Sequence, residues 1–516
     1  MTAAVRETST GREYDADLPP DLVTMLSFTA RSLPEKTAFI DDQRSITWTA
    51  FAHEVDVLAG RLGGVGISPG DRVALLFGNG IPYTVALWAV WTVGGIVVPL
   101  NTRLQPDEMV PLLRDATPRL LLAGRGRAEA GAHVGAAVGV PVENEANGRL
   151  LADAPRAEAS PAVAGEAPAA IMYTSGTTGR PKGVVITHAN AIQTSGTCTL
   201  VVGRRPDDIE LIMVPQFNIT GLNAQTVPVV HLGMTAVLLD GFDPADVLSL
   251  AAQHRVTVTV GASTMWWRII EAAEGRPQDL ASLRLATYGG SPMPTALLDR
   301  MRKSLPGAGF GNGYGMTETC SMITYVGGRN AVERSHTVGR PLPITDLRLV
   351  DPATGEDTPS GAVGEIAVKG PQLSPGYWSA KGLVPLTDAN GWFHTGDAAR
   401  LEEGFVVLQD RLKDVIKRGG ESIYCIEVEE LLHQHPAVLE AAVVGVPDPI
   451  YGEKVKAHIV LKPGSVATSD DIKTFCRSRA AAFKSPSFVE FQTALPRNPG
   501  GKVLKAELRR TPPAVG

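Results

Sequence analysis

The residues best equipped for chemistry stand in one short run: Thr174, Ser175, Gly176, Thr177, Thr178, Gly179, Arg180, Pro181, Lys182 and Gly183. Its glycines let the backbone turn N–H groups inward as an anion nest. The hydroxyls of Thr174, Ser175, Thr177 and Thr178 add donors, and Lys182 adds a point charge. By composition this is a phosphate cradle. It is not a Walker A loop, because Lys182 is followed by Gly183 rather than Ser or Thr, and an apolar β-branched stretch follows instead of a helix. A second run spans Gly311, Asn312, Gly313, Tyr314, Gly315, Met316, Thr317, Glu318 and Thr319. Here glycines permit a ligand to approach the backbone closely. Tyr314 offers a face on which a purine can stack. Thr317 can donate to an α-phosphate, and Glu318 is a hard oxygen ligand suited to Mg²⁺.

Together these runs resemble the signatures of the adenylate-forming superfamily of acyl-CoA synthetases, coumarate-type ligases, luciferases and peptide-synthetase adenylation domains. Further motifs follow in the family's order, and the likeness extends from about residue 22 to 509. The resemblance implies an ATP-dependent, AMP-forming ligase. A carboxylic acid is activated as its acyl-adenylate and then passed to the thiol of coenzyme A, with ATP, Mg²⁺ and CoA as the reactants and cofactors. It places Thr174, Ser175, Gly176, Thr177, Thr178, Lys182, Gly290, Asn312, Gly313, Tyr314, Thr317, Asp397, Arg411 and Lys502 around the nucleotide. Glu318 becomes the metal ligand, and Lys502, Glu318, Thr317 and Lys182 become the catalytic set. Asp397 is expected to accept from the ribose hydroxyls, a task suited to an acceptor-only carboxylate. Lys502, on a Pro/Gly-rich loop, is expected to touch both anions as the carboxylate attacks the α-phosphate.

The resemblance also implies a second pose, reached by rotation about a hinge at Lys413. Gly419 and Gly420 would then leave room for pantetheine to pass the backbone. Cys425 stands where relatives usually carry proline and is expected to be a buried neutral thiol. The acyl site maps to Asn218, Ile219, Thr220, Gly290, Gly315, Ser321 and Met322. Most of these are small, which predicts a roomy pocket and a bulky acid: a fatty chain, an aryl acid or a polycyclic acid. Trp266 and Trp267 either close its floor or belong to the core. Asn218 replaces the usual His and carries no charge to pair with an ammonium group, so a free amino acid is disfavoured. The same replacement keeps open an enzyme specialised for one half-reaction. A carrier-protein phosphopantetheine is a further candidate acceptor, and a nucleotide-binding pseudoenzyme is the non-enzymatic alternative.

Composition sets the frame. The chain has 516 residues, too many for one core, and its net charge of −6 offers no global field for nucleic acid. The four cysteines form no C-x-x-C pair and no zinc spacing, which points to a reducing cytoplasm. Residues 1–20 lack an apolar segment of the signal-peptide kind and read as a frayed tail. The apolar stretch 85–100 is interrupted by Gly94 and Gly95. It is too short to span a membrane, so a buried helix over 82–93 and a strand over 96–99 are expected. Homodimers are common among relatives, which makes one an expectation here.

Elements able to position the motifs alternate in type. Strands are expected over 71–76, 120–123, 170–173, 184–186, 235–239 and 256–260, and helices over 243–254 and 293–304. Residues 124–168 read as a surface excursion. Short strands over 347–350 and 364–368 suggest a small β-rich subdomain. Beyond 410 the pattern is helix 428–433, strands 439–446 and 455–461, and helix 469–482. The expected fold is α/β: a large N-terminal domain (1–409) of two layered α/β sheets plus the β-rich subdomain, and a small mobile α+β C-terminal domain (410–516) carrying Lys502.

Overall fold

A computed structural model describes residues 4–8, 11–15, 18–145, 163–174, 181–290, 293–419, 421–497 and 503–510. The chain forms two compact units, Met1–Asp346 with Val368–Phe393, and Leu347–Ala367 with His394–Gly516. The four-stranded β-rich sheet therefore groups with the C-terminal segment, so the contact boundary does not fall at residue 410.

The first unit is built on two large sheets. Eight strands form one of them, in the order Val384–Pro385, Gly376–Tyr377, β2 (Lys182–Thr187), β1 (Pro168–Thr174), Ile96–Pro99, Arg72–Leu76, Leu120–Ala123 and Val142–Asn144. β1 and β2 are an antiparallel pair, so the apolar run after Lys182 does return as a strand. The helix α1 (His188–Val202) follows directly, capped by Thr187, whose side chain accepts from the Asn190 N–H. The nine-stranded sheet contains β3 (Ile209–Ile212), β4 (Val258–Gly261), β5 (Leu285–Gly289), β6 (Gly309–Met316) and β7 (Ser321–Gly327). From β3 through β6 the pairing is parallel, and β7 returns antiparallel to β6.

Helix Ile81–Thr92 explains the long apolar stretch. It is buried on all sides, and the strand Ile96–Pro99 follows it. The indole N–H groups of Trp88 and Trp91 donate to the Leu22 and Ala169 carbonyls at 3.1 and 2.8 Å. Its apolar side chains join one core with Val73 and Leu75 of the first sheet and Ala236 and Leu238 of the second. No helix among the described residues is long and apolar enough to cross a membrane.

In the second unit, the four-stranded sheet ends in the antiparallel pair β8 (Phe393–Glu402) and β9 (Phe405–Arg411). A five-stranded sheet is centred on Gly452–Leu461 and Val438–Asp448, with helices Cys425–His433, Ser469–Arg477 and Lys505–Arg510. Two expectations are corrected. The N-terminal tail contains a hairpin, Ala4–Thr8 against Gly11–Asp15. The helix expected over 469–482 stops at Arg477, because the chain must turn back for Phe488–Phe491 to pair beside Gly452–Leu461.

Candidate active site

The phosphate loop is slung between β1 and β2, where Thr174 and Lys182 face each other in register. Ser175, Gly176, Thr177 and Thr178 lie outside the described residues. Lys182 Nζ sits 4.8 Å from the centre of the Tyr377 ring. The Tyr377 hydroxyl in turn donates to Glu318 Oε1 at 3.2 Å. Burial, then the Glu318 charge, push this phenol above its ordinary range, so it stays a neutral donor. Tyr377 thus joins the cradle lysine to the expected metal ligand. Its neighbours fix the same assembly: the Ser374 N–H donates to the Glu318 carbonyl at 2.9 Å, and the Trp378 N–H to the Gly183 carbonyl at 2.7 Å. None of this pairing was visible in the motif strings.

β5 and β6 carry the second motif. Gly289 lies level with Gly313, and a Cβ on Gly289 would stand 2.5 Å from the Gly313 oxygen. Only glycine allows that closeness. At Tyr314 and Gly315 the register with β7 shifts, and the chain turns through Thr317–Thr319 before β7 begins. Gly315 approaches Ser321 so closely that a Cβ would lie 1.8 Å from the Ser321 oxygen. Asn312 is buried and donates to the Thr337 carbonyl at 3.4 Å, which commits its amide to the fold.

Six of the seven expected acyl positions wall one cavity: Ile219, Thr220, Gly290, Gly315, Ser321 and Met322. The cavity volume is about 60 Å³. Asn218 is not on that wall. Its carbonyl accepts from Leu222 at 2.9 Å, where the chain enters the wide π-helical turn Thr220–Thr226. Trp266 is core: it is fully buried, donates to the Thr287 carbonyl at 2.9 Å, and does not line the cavity. Trp267 also lies off the cavity wall and packs under the Arg300 guanidinium.

In the second unit, Asp397 and Arg411 are partners across β8 and β9, with Arg411 Nε 2.6 Å from Asp397 Oδ1. The two expected ribose residues are thus brought together, and the guanidinium orients the carboxylate. Lys413 is exposed in the short turn Leu412–Asp414. Gly419 has φ +59° and donates to the Tyr451 carbonyl at 2.8 Å. Cys425 is fully buried, and desolvation pushes its thiol well above the ordinary range, as expected of an inert sulfur. Helix Lys505–Arg510 is tied down by Lys505 Nζ to Glu429 Oε1 at 2.7 Å and Arg509 Nη2 to Asp414 Oδ1 at 2.5 Å. Gly420 and Lys502 lie outside the described residues. No cluster of three or more His, Cys, Asp or Glu side chains suited to a metal occurs among the described residues. Glu318 alone fits Mg²⁺, which typically takes one or two carboxylates and completes its shell with phosphates and water.

The AMP-binding enzyme family model matches residues 26–378, and the AMP-binding enzyme C-terminal domain matches 427–502. The chain belongs to the AMP-binding enzyme family. It is 37% identical over 489 residues to a feruloyl-CoA synthase of Amycolatopsis sp, covering 93% of this chain and 97% of the relative. A 2-succinylbenzoate–CoA ligase of Bacillus licheniformis is 34% identical over 481 residues, with 93% and 98% coverage. Among solved structures, the o-succinylbenzoate CoA synthetase of Bacillus subtilis with its acyl-adenylate superposes with a TM-score of 0.87 at 31% identity, covering 97% of this chain and all of that one. ATP-bound MatB of Rhodopseudomonas palustris gives 0.87 at 30% identity, with 95% and 98% coverage. This AMP-binding enzyme is an ATP-dependent acyl-CoA ligase that forms AMP and uses ATP, Mg²⁺ and CoA.

Proposed function

We propose that this ligase activates an aryl acid. The observation that carries the reading is the single cavity that six acyl positions share, bordered by Tyr288, Tyr325 and Met322. Its volume of about 60 Å³ exceeds what one or two waters need, at roughly 10–15 Å³ each. A flat ring suits such a space better than a polycyclic body, and aromatic and thioether walls favour one. The acids named for the feruloyl-CoA synthase and 2-succinylbenzoate–CoA ligase relatives are of this class.

In the first half-reaction the substrate carboxylate attacks the α-phosphorus of ATP, and pyrophosphate leaves. Lys182 and the loop hydroxyls hold the leaving phosphates, while Thr317 donates to the α-phosphate. Lys502 stabilises the charge that builds between carboxylate and phosphate. Glu318, held by Tyr377, is the ligand for Mg²⁺, whose charge neutralises phosphate oxygens when bound. Asp397, oriented by Arg411, accepts from the ribose hydroxyls. In the second, the CoA thiolate attacks the acyl carbon and AMP departs. Lys413 serves as the pivot between these poses, and Gly419 with Gly420 gives pantetheine passage. Residues from about 410 onward, with Lys502, act as the moving domain.

With Asn218 in place of the usual His, an enzyme specialised for one half-reaction, either acyl-AMP formation or its conversion to the thioester, is the competing reading, and a carrier-protein phosphopantetheine is the competing acceptor. The four cysteines are all free and buried, which supports a cytoplasmic setting. Light scattering on the purified chain tests the expected homodimer. The deciding experiment supplies ATP, Mg²⁺, CoA and a pool of fatty, aryl and polycyclic acids, with products read by mass spectrometry. Aryl-CoA with matching AMP is expected. Fatty or polycyclic thioesters in its place would overturn the aryl assignment, and aryl-AMP without thioester would favour the one-step reading.

A further inference from the structure

The turn that carries Glu318 leads into backbone that its residues disfavour. It runs through Thr317–Thr319, and the next two residues both have positive φ, Cys320 at +54° and Ser321 at +119°. Neither is glycine, so a side chain crowds the backbone at each, and the surrounding structure must offset the cost. Part of the restraint lies within the turn. The Cys320 N–H donates to the Thr317 carbonyl at 3.0 Å, and the Thr319 hydroxyl donates to the Ser321 carbonyl at 2.7 Å. From outside, the Ser374 N–H reaches the Glu318 carbonyl, which lies upstream of the two disfavoured residues.

Asn223 grips Cys320 itself. Its Nδ2 lies 3.3 Å from the Cys320 carbonyl oxygen and 2.6 Å from Cys320 Sγ. A side-chain amide nitrogen has two donors, so one group serves both acceptors. Burial pushes the Cys320 thiol up to about 12, so the sulfur stays neutral. Asn223 is 1% exposed and Cys320 0%, so water cannot take over these bonds once they are lost. Asn223 is in turn well anchored. It sits on the π-helical turn Thr220–Thr226, where Gln225 Nε2 donates to the Leu211 carbonyl of β3 at 3.2 Å and the Thr226 hydroxyl donates to the Gly221 carbonyl at 2.7 Å. Wide turns of this kind are frequent at functional sites. Thr220 and Ala224 of the same turn wall the acyl cavity, as does Ser321. Asn223 thus ties the acyl wall to the turn that bears Glu318. Tyr377 holds the carboxylate end of Glu318, and Asn223 holds the backbone two residues further on.

We infer that Asn223 is a positioning residue: it holds the chain after Glu318 in its positive-φ form and so aims the Glu318 carboxylate at Mg²⁺. This rests on reading Glu318 as the metal ligand of the ligase. The test uses the full-length protein and its variants Asn223→Ala, Asn223→Ala/Cys320→Gly and Glu318→Gln. Mn²⁺ binding to the enzyme–ATP complex is measured by electron paramagnetic resonance, which needs no turnover. ATP–pyrophosphate exchange is measured at stepped Mg²⁺ and acid concentrations, and stability by urea denaturation. Asn223→Ala should weaken Mn²⁺ binding and raise the half-saturating Mg²⁺ about three- to tenfold, the range expected of one or two buried hydrogen bonds. KM for the acid should stay within about twofold, because Asn223 does not wall the cavity. Glycine adopts positive φ freely, so adding Cys320→Gly should restore most of the metal affinity. If Asn223→Ala does not fold, Cys320→Ala and Cys320→Gly decide. Both lose the sulfur, but only alanine keeps the disfavoured φ, so only alanine should weaken metal binding. With Glu318→Gln weakening the metal as a ligand should, three results overturn the inference alone: an Asn223→Ala protein that is less stable yet binds Mn²⁺ as the wild type does, a change confined to KM for the acid, or no difference made by glycine at 320. Unchanged Mn²⁺ binding in Glu318→Gln overturns the metal reading and the inference with it. The expected metal pattern, without pyrophosphate exchange from any acid, would keep the positioning role and overturn the ligase reading.

Discussion

Replacing Tyr377 with phenylalanine isolates a single bond in the catalytic assembly. The ring beneath Lys182 is kept at its 4.8 Å spacing, and only the hydroxyl that donates to Glu318 at 3.2 Å is lost. A hydrogen bond to a charged group contributes about 1.5–3 kcal/mol. Both residues are half-buried, so solvent screening reduces this to roughly 1–1.5 kcal/mol. The carboxylate proposed to receive the metal is then less well aimed. The Mg²⁺ concentration giving half-maximal adenylation should rise about five- to fifteenfold, since each 1.4 kcal/mol is a factor of ten. Tyr377→Leu removes the ring as well, and the lost cation–π contact, about 0.5–1 kcal/mol at an exposed site, should add a further two- to fivefold. ATP–pyrophosphate exchange at stepped Mg²⁺ concentrations measures both. An unchanged Mg²⁺ dependence in Tyr377→Phe would refute the positioning role. A Tyr377→Leu enzyme no worse than Tyr377→Phe would refute the link to Lys182.

Three further outcomes are expected. Asp397→Asn keeps its shape but loses the charge facing Arg411, and should raise KM for ATP roughly tenfold while costing about 1–2 kcal/mol of stability; steady-state kinetics and urea denaturation check both. Trp266→Ala should cost about 3–5 kcal/mol by denaturant titration yet leave the order of acid preference intact, because the indole fills core and does not wall the cavity. Burial holds His188 and His231 down to about 4 in the folded chain, against roughly 6.5 when unfolded. Above the higher value neither state binds the proton. Below it the unfolded chain takes protons that the fold refuses, so stability should fall from pH 6.5 toward 4 by up to about 1.4 kcal/mol per unit for each histidine. A melting temperature flat across that window would contradict this.

The site was legible where its parts are contiguous. The strands Pro168–Thr174 and Lys182–Thr187 on either side of the phosphate run, and the strands Ile96–Pro99 and Leu120–Ala123, fall where spacing and β-branching put them. Asp397 and Arg411 were expected separately, and the register of β8 and β9 brings them together. Tyr377 escaped notice because its role depends on Lys182 and Glu318 meeting in space from distant segments. The overlong helix at 469–482 and the tail at 4–15 were misread for one reason. Local preference carries no information about which strand will claim the chain next.

The short helix Lys505–Arg510 matters to the gene as well as to the fold. Two of its cations, Arg509 and Lys505, face Asp414 and Glu429, and the Lys505 charge also bears on buried Asp410. A stop codon just upstream of Lys505 would delete little mass and would spare every catalytic residue assigned above, Lys502 included. It would nevertheless strip counter-charges from three carboxylates, two of which, Asp410 and Asp414, flank Lys413 in the chain. Losing one partner of a fully buried pair costs about 3–5 kcal/mol; these pairs are partly buried, so each loss should cost roughly 1–3 kcal/mol, still a sizeable share of what holds a domain together. Such an allele would weaken its unit rather than act as a silent truncation, and selection would guard this helix along with Lys502, the lysine proposed for catalysis just before it.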